Sequence, residues 1–311
     1  MRIAERIGRR TVRIANGFVN LIVLTAILLL FSFGSYAMWD SGQIHSAASP
    51  LRYAMYRPTA EGEGDSFADL QAINPDVFAW LTVFGTNIDY PVVQGQNNIR
   101  YVNTDARGRH SLSGAIFLDF RSGPNFSDFS SIIYGHHMEN RVMFGEIALF
   151  ADRSYFEARR YGMLYFEGRE HGVEFFAFVH TDAYDMTVFR NQIREPEQRQ
   201  AYLDLLMHMA CHVRADMSVT VEDRIVLLST CSPNSTNGRD ILIGKIIDEA
   251  PVDPFHIEVV DDAPALPISG IDTLPGLGDG TGPWVQIGIA GLVALLIVST
   301  LTLVWTRRRR R

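Results

Sequence analysis

The 311-residue chain is 47% hydrophobic and 20% charged with only two cysteines, which excludes a disordered chain, a collagen-like repeat and a disulfide scaffold. Its net charge of −7 averages unlike regions: five arginines fall within the first thirteen residues, and five more are Arg307–Arg311. The stretch between carries 18 cations against 34 acids, about −16, and a body of that sign repels a duplex, so nucleic acid is excluded as a partner.

Residues 1–18 form a basic N-terminus. Leu21 to Met38 follows with eighteen residues and no charge, so 19–38 is expected to be a transmembrane signal-anchor. Ser35-Tyr36-Ala37 is a passable cleavage site, but the apolar run exceeds a usual signal-peptide core, which favours an uncleaved anchor. Residues 39–73 are expected to hold an extracellular linker and N-terminal helices, with a flexible acidic link at 61–65 and a helix over Ser66 to Ala72.

From Asn74 the signals are those of strands. Phe78–Phe84 ends at a Gly85-Thr86-Asn87 turn, and Ile88–Val93 pairs back onto it, with Pro91 marking an edge or bulge. Gly114–Leu118, Ser131–Tyr134, Met163–Phe166 and Val173–His180 are further short runs rich in β-branched or aromatic residues. A helix follows, with Pro196 near its start and Tyr202, Leu205, Leu206 and Met209 spaced as one apolar face. Ile225–Ser229 and Ile241–Ile247 are the last strands. Eight short strands and one clear helix imply a mainly β fold over residues 74–248, an eight-stranded, mostly antiparallel closed barrel with peripheral helices.

Residues 249–283 are a Pro/Gly/acidic linker. Trp284–Trp305 is a second uncharged run of 22 residues, roughly 33 Å of helix at ~1.5 Å per residue and enough to cross a ~30 Å hydrocarbon core. Residues 284–306 are therefore expected to be a second transmembrane helix and 307–311 a cytoplasmic basic tail. Arginine clusters stay on the cytoplasmic side, which gives a two-pass protein of the cell membrane with both termini inside and the body between the two spans outside.

Three points in the body carry chemistry. Cys231 leaves a strand of buried type into a Ser-Pro-Asn loop, as a partly exposed nucleophile must. His136 likewise ends a strand just past Gly135, and Arg239 opens the next strand eight residues after Cys231, where a turn brings it back beside the thiol. Thiolate, imidazolium and guanidinium make a metal-free and cofactor-free acyl-transfer set. The bland alternatives are a small buried hydrophobe at Cys231 and a solvated strand-end charge at Arg239.

These residues sit in a wider pattern. NPDVFAWLTVFGTNIDYPVVQ at 74–94, SGAIFLDFR at 113–121, IIYGHHM at 132–138, MFGEI at 143–147, VEDRIVLLSTC at 221–231 and RDILIGK at 239–245 follow one another in the order found in class B sortases. The chain resembles that family, membrane-anchored cysteine transpeptidases of Gram-positive bacteria, over about 74–247. The family's TLxTC signature reads Leu227-Leu228-Ser229-Thr230-Cys231 here, with leucine in the first place as a small departure. A helix at 196–212 before the last two strands is the feature that sets class B apart.

The resemblance implies Cys231 as nucleophile, His136 as general acid/base and Arg239 as the oxyanion and substrate-positioning arginine. His137 is expected to point to the opposite face, and Ser229 and Thr230 either position substrate or complete the strand. It also implies the activity: cutting a C-terminal sorting signal on an exported protein, holding the acyl fragment as a thioester, and passing it to an amine on a cell-wall peptide or a pilin lysine. Its rivals are a catalytically silent sortase-fold scaffold at the cell surface and a hydrolytic cysteine peptidase.

Three further features stand apart. Cys211 and Cys231 are a permissible disulfide pair by spacing, but the setting of Cys231 favours one nucleophile and one packing residue. His208-x-x-Cys211-His212 offers three ligands on one helix with no fourth, so no metal is expected. Leu266-Pro-Ile-Ser-Gly270 and Leu274-Pro-Gly-Leu-Gly278 resemble sorting motifs, and chance recurrence in a Pro/Gly linker is the favoured explanation.

Overall fold

A computed structural model describes residues 2–58, 66–231 and 237–255. The second apolar segment at 284–306, the tail at 307–311 and both Leu-Pro motifs lie outside the described residues. The chain divides into two compact units, Asp40–Ile257 being the larger and the first 39 residues the described part of the other. Helix α1 runs Arg2–Ala48, 47 residues, and contains a stretch long and apolar enough to cross a membrane, none of it buried by protein. It continues ten residues beyond the expected end of the anchor at Met38.

In the larger unit, α2 (Ser66–Ile73) precedes β1 (Val77–Val83) and β2 (Asp89–Val93). Then come β3 (Ile116–Leu118), β4 (Ser130–Tyr134), α3 (Arg153–Ala158), β5 (Tyr161–Phe166) and β6 (Arg169–Asp182). The last elements are α4 (Pro196–Met209), β7 (Ala210–Val213), β8 (Ile225–Cys231) and β9 (Gly238–Ile247). The sheet order is β5-β1-β2-β3-β4-β8-β9-β6-β7, and a direct β5–β6 pairing joins the ends of its first eight members. This is the expected eight-stranded barrel; β7 hangs on the long β6 as a ninth strand outside the ring. Two junctions, β2–β3 and β4–β8, are parallel, and the rest are antiparallel.

Pro91 is neither at an edge nor in a bulge. It faces Trp80 in register within the β1–β2 pair, while β2 meets β3 only from Val92 onward, so its missing N–H lies where no ladder bond is needed. The bulge falls instead at Val77–Ala79 of β1.

Alternating side chains fill the barrel with a core that includes Trp80, Tyr90, Phe126, Phe144 and Phe175, all essentially inaccessible. A second core lies under α4, where Phe176, Ile132, Leu227 and Ile241 meet Tyr202, Leu203 and Leu206. The buried helix face is therefore centred on Leu206, between Tyr202 and Leu203, with Leu205 and Met209 only half buried.

The helix expected to reach residue 212 ends at Met209, because the chain turns extended at Ala210 to pair with β6. Cys211 and His212 thus lie on β7 rather than on a helix face with His208. Cys211 is exposed and free, not the packing residue expected from sequence.

Candidate active site

The parallel β4–β8 pair ends with Tyr134 opposite Ser229, and the Gly135 N–H extends it by donating to the Ser229 carbonyl at 3.2 Å. Two residues past that pair come His136 on one strand and Cys231 on the other. Across the antiparallel β8–β9 pair, Cys231 stands directly opposite Arg239. Three neighbouring strands thus bring the three candidate residues to one rim of the barrel. Gly135 permits the approach: a Cβ there would lie 2.6 Å from Ile116 and 2.7 Å from Phe144.

His136 is fixed by its ring. Nε2 lies 2.8 Å from the Val102 carbonyl, which can only accept, so Nε2 carries a proton and Nδ1 is the nitrogen that gains or loses one. Its backbone carbonyl accepts from Phe144 N–H at 3.0 Å. The loop between holds Asn140, Arg141 and Met143 at φ of 58°, 57° and 52°, a left-handed backbone that surrounding bonds must enforce. The Met143 N–H donates to the Tyr90 hydroxyl at 2.9 Å, and that hydroxyl donates to the Ala48 carbonyl at 2.8 Å. His137 takes no part in the cavity lining; it bridges to Met143, and its Nδ1 is buried without a partner among the described residues.

A cavity of about 400 Å³ opens at this rim, lined by His136, Arg239, Ser229 and Thr230. Arg239 is half buried, and its Nη1 donates to the Gly238 carbonyl at 3.0 Å; among the described residues it has no carboxylate partner. The next residue, Asp240, is engaged with His180 at 2.8 Å. Among the described residues Arg239 therefore presents a cation without a counter-charge, the kind of group that stabilises negative charge developing on a carbonyl oxygen. Ser229 and Thr230 are each 1% exposed, and neither hydroxyl has a hydrogen-bond partner among the described residues. Such buried orphan hydroxyls are costly unless a partner is supplied.

The remaining lining was not singled out from sequence. Met186 and Phe189, on the segment between β6 and α4, add apolar surface, and Asn98, Arg121 and Tyr134 add polar groups. Those three converge on Asp119, which is fully buried. Burial raises the Asp119 pKa, but the Arg121 hydrogen bonds, then the Asn98 amide, outweigh it and leave the carboxyl below its usual range. Burial, followed by the charge of Asp119, pushes the Tyr134 phenol well up, so it stays protonated. The Asp119-x-Arg121 spacing inside SGAIFLDFR was the available signal.

No family model matches the chain. Sortase B of Staphylococcus aureus is 31% identical over 185 residues, spanning 58% of this chain and 74% of that relative. Sortase B of Listeria monocytogenes is 30% identical over 190 residues, 59% of this chain and 74% of the relative. Among solved structures, sortase B from the Type II pilus of Streptococcus pneumoniae superposes with a TM-score of 0.52 at 48% identity, covering 59% of this chain and 99% of that one. A Streptococcus pyogenes class B sortase involved in pilus biogenesis gives 0.54 at 41% identity, with 58% and 97% covered. A Staphylococcus aureus sortase B–substrate complex gives 0.58 at 27% identity, with 69% and 99% covered.

Proposed function

We infer that this chain, which belongs to the sortase B family and is a cysteine transpeptidase of cell-wall anchoring or pilus assembly, works through Cys231, His136 and Arg239. One observation carries the assignment: Cys231 faces Arg239 across β8–β9, with His136 at the equivalent step past the Tyr134–Ser229 pair. The Cys231 thiolate attacks the scissile carbonyl of a sorting-signal peptide, forming a C–S bond. Arg239 stabilises the resulting oxyanion. The His136 imidazolium delivers its proton from Nδ1 to the departing amine as the C–N bond breaks, leaving a thioester. An incoming amine then gives a proton to Nδ1 and attacks the thioester; a new amide forms and the thiolate is released. Ser229 and Thr230 position the peptide from the cavity lining.

The acceptor amine separates transfer from hydrolysis. Sortase B has been solved in complex with triglycine, whereas the 48% and 41% identical relatives are sortases of pili, which favours a pilin lysine over a wall peptide for this chain. Mass spectrometry of peptide products, with triglycine or a lysine-bearing pilin peptide added, tests this. The expected product is the lysine adduct, with hydrolysis suppressed. Hydrolysis unaffected by either amine would instead make the protein a peptidase.

The helix α1 supplies one candidate span. The uncharged Trp284–Trp305 run closed by Arg307–Arg311 supports a second, with both termini cytoplasmic and the barrel outside. External protease on spheroplasts is expected to digest the barrel while tags at both termini survive. Loss of the C-terminal tag would refute the two-pass arrangement.

A further inference from the structure

Asp119 follows β3 and has no exposed surface, yet its carboxylate receives five hydrogen bonds. Oδ1 accepts from the backbone N–H and the Nε of Arg121, both at 2.9 Å. Oδ2 accepts from Arg121 Nη2 at 2.7 Å, Asn98 Nδ2 at 2.9 Å and the Tyr134 hydroxyl at 3.2 Å. A carboxylate offers about four lone-pair sites, so this one is saturated. Asn98 is also tied by its other end, its Oδ1 accepting from Phe120 N–H at 3.0 Å. All three side chains that hold Asp119 line the cavity, whereas Asp119 does not.

The charges are arranged unequally. Arg121 is held as a bidentate fork and neutralised by its partner, while Arg239 has no carboxylate among the described residues. Two Arg121 nitrogens are committed to the fork, and Nη1 has no hydrogen-bond partner among the described residues. The cavity therefore offers, apart from its reactive rim, one directionally fixed donor with little net charge. A peptide carbonyl or carboxamide oxygen matches it. A free carboxylate gains little from a cation already paired.

We propose that Asp119 is a positioning residue for the peptide: it locks Asn98, Arg121 and Tyr134 so that Arg121 Nη1 donates to an uncharged oxygen acceptor of the bound sorting signal. This rests on the assignment of the cavity as the peptide site. Asp119 makes no hydrogen bond to His136 or Arg239, so its loss misplaces a binding wall and leaves the proton-transfer and oxyanion groups in place. Binding then weakens in the ground and transition states alike, a change in KM and not in kcat.

The test uses the full chain in detergent micelles with Cys211→Ser as background, so that Cys231 is the single thiol. The probe is a fluorogenic sorting-signal peptide selected by turnover from a randomised library. Asp119→Asn is expected to raise KM about tenfold, the scale of one lost hydrogen bond to a charged group, with kcat within about threefold. Its rate of Cys231 capture by iodoacetamide should match the background protein. An unchanged KM, or a fall confined to kcat, overturns the proposal. If Asp119→Asn loses its cooperative melt, Arg121→Lys and Tyr134→Phe decide by the same split, because lysine keeps the charge without the fork. Unchanged KM in both overturns it. Failure of the catalytic assignment is distinct: turnover would then survive complete alkylation of Cys231.

Discussion

Replacing Cys231 with alanine is expected to reduce turnover by roughly 10⁴-fold or more and to remove the acyl-enzyme entirely. Among the described residues no neighbouring group replaces the thiolate. Ser229 and Thr230 precede it on β8, but their hydroxyls are buried, and neither has a hydrogen-bonded base among the described residues. The measurement is twofold: cleavage of a sorting-signal peptide, and intact-protein mass after a short incubation. The unmodified chain should gain the acyl mass and Cys231→Ala should not. Retained cleavage by the variant would remove Cys231 from the mechanism. Because Cys211 is a second, exposed cysteine on β7, a Cys211→Ser control is required; it should keep full activity.

His136→Ala is expected to lower turnover by about 10²–10⁴-fold, the usual contribution of a positioned acid/base group. The loss should appear in both half-reactions, since Nδ1 donates during thioester formation and accepts during its aminolysis. Single-turnover measurement of acylation and of transfer to triglycine separates the two. His137→Ala serves as the contrast, because His137 takes no part in the cavity lining. If the two variants exchanged phenotypes, the proton shuttle would have to be moved to His137.

Much of this site was legible before any coordinates. A cysteine and a histidine at strand exits, and an arginine eight residues beyond the cysteine, define positions that strand pairing then unites; Cys231 and Arg239 are direct partners. The strands themselves announced their existence through runs of β-branched and aromatic residues. Their partners stayed hidden, since alternation along one strand says nothing of its neighbour, and neither parallel junction was visible. Asp119 was half legible: the Asp119-x-Arg121 spacing marked a local pair, and the rest of its role was hidden for the same reason. Its donors Asn98 and Tyr134 lie 21 and 15 residues away, and only folding turns a lone acid into a hub. The helix reading of residues 210–212 fails because helical periodicity runs on past Met209, whereas pairing with β6 decides the conformation.

The ring order also governs when the protein acquires its chemistry. β8 closes against β4 on one side and β9 on the other, and β9 must reach β6 to complete the circle. Among the described strands these two come last; β8–β9 is a short hairpin, whereas β4 and β6 lie far back in sequence, so the β4–β8 and β6–β9 pairings carry a large loop-closure entropy. Until β8 has emerged, a growing or exported chain has β4 with an open edge, and until β9 follows, Cys231 has no strand partner at Arg239. On the proposed mechanism, the thiol meets its acid/base group and its cation only late in synthesis. On that mechanism reactivity is expected only on ring closure, and a chain cut short before β9 is expected to be inert.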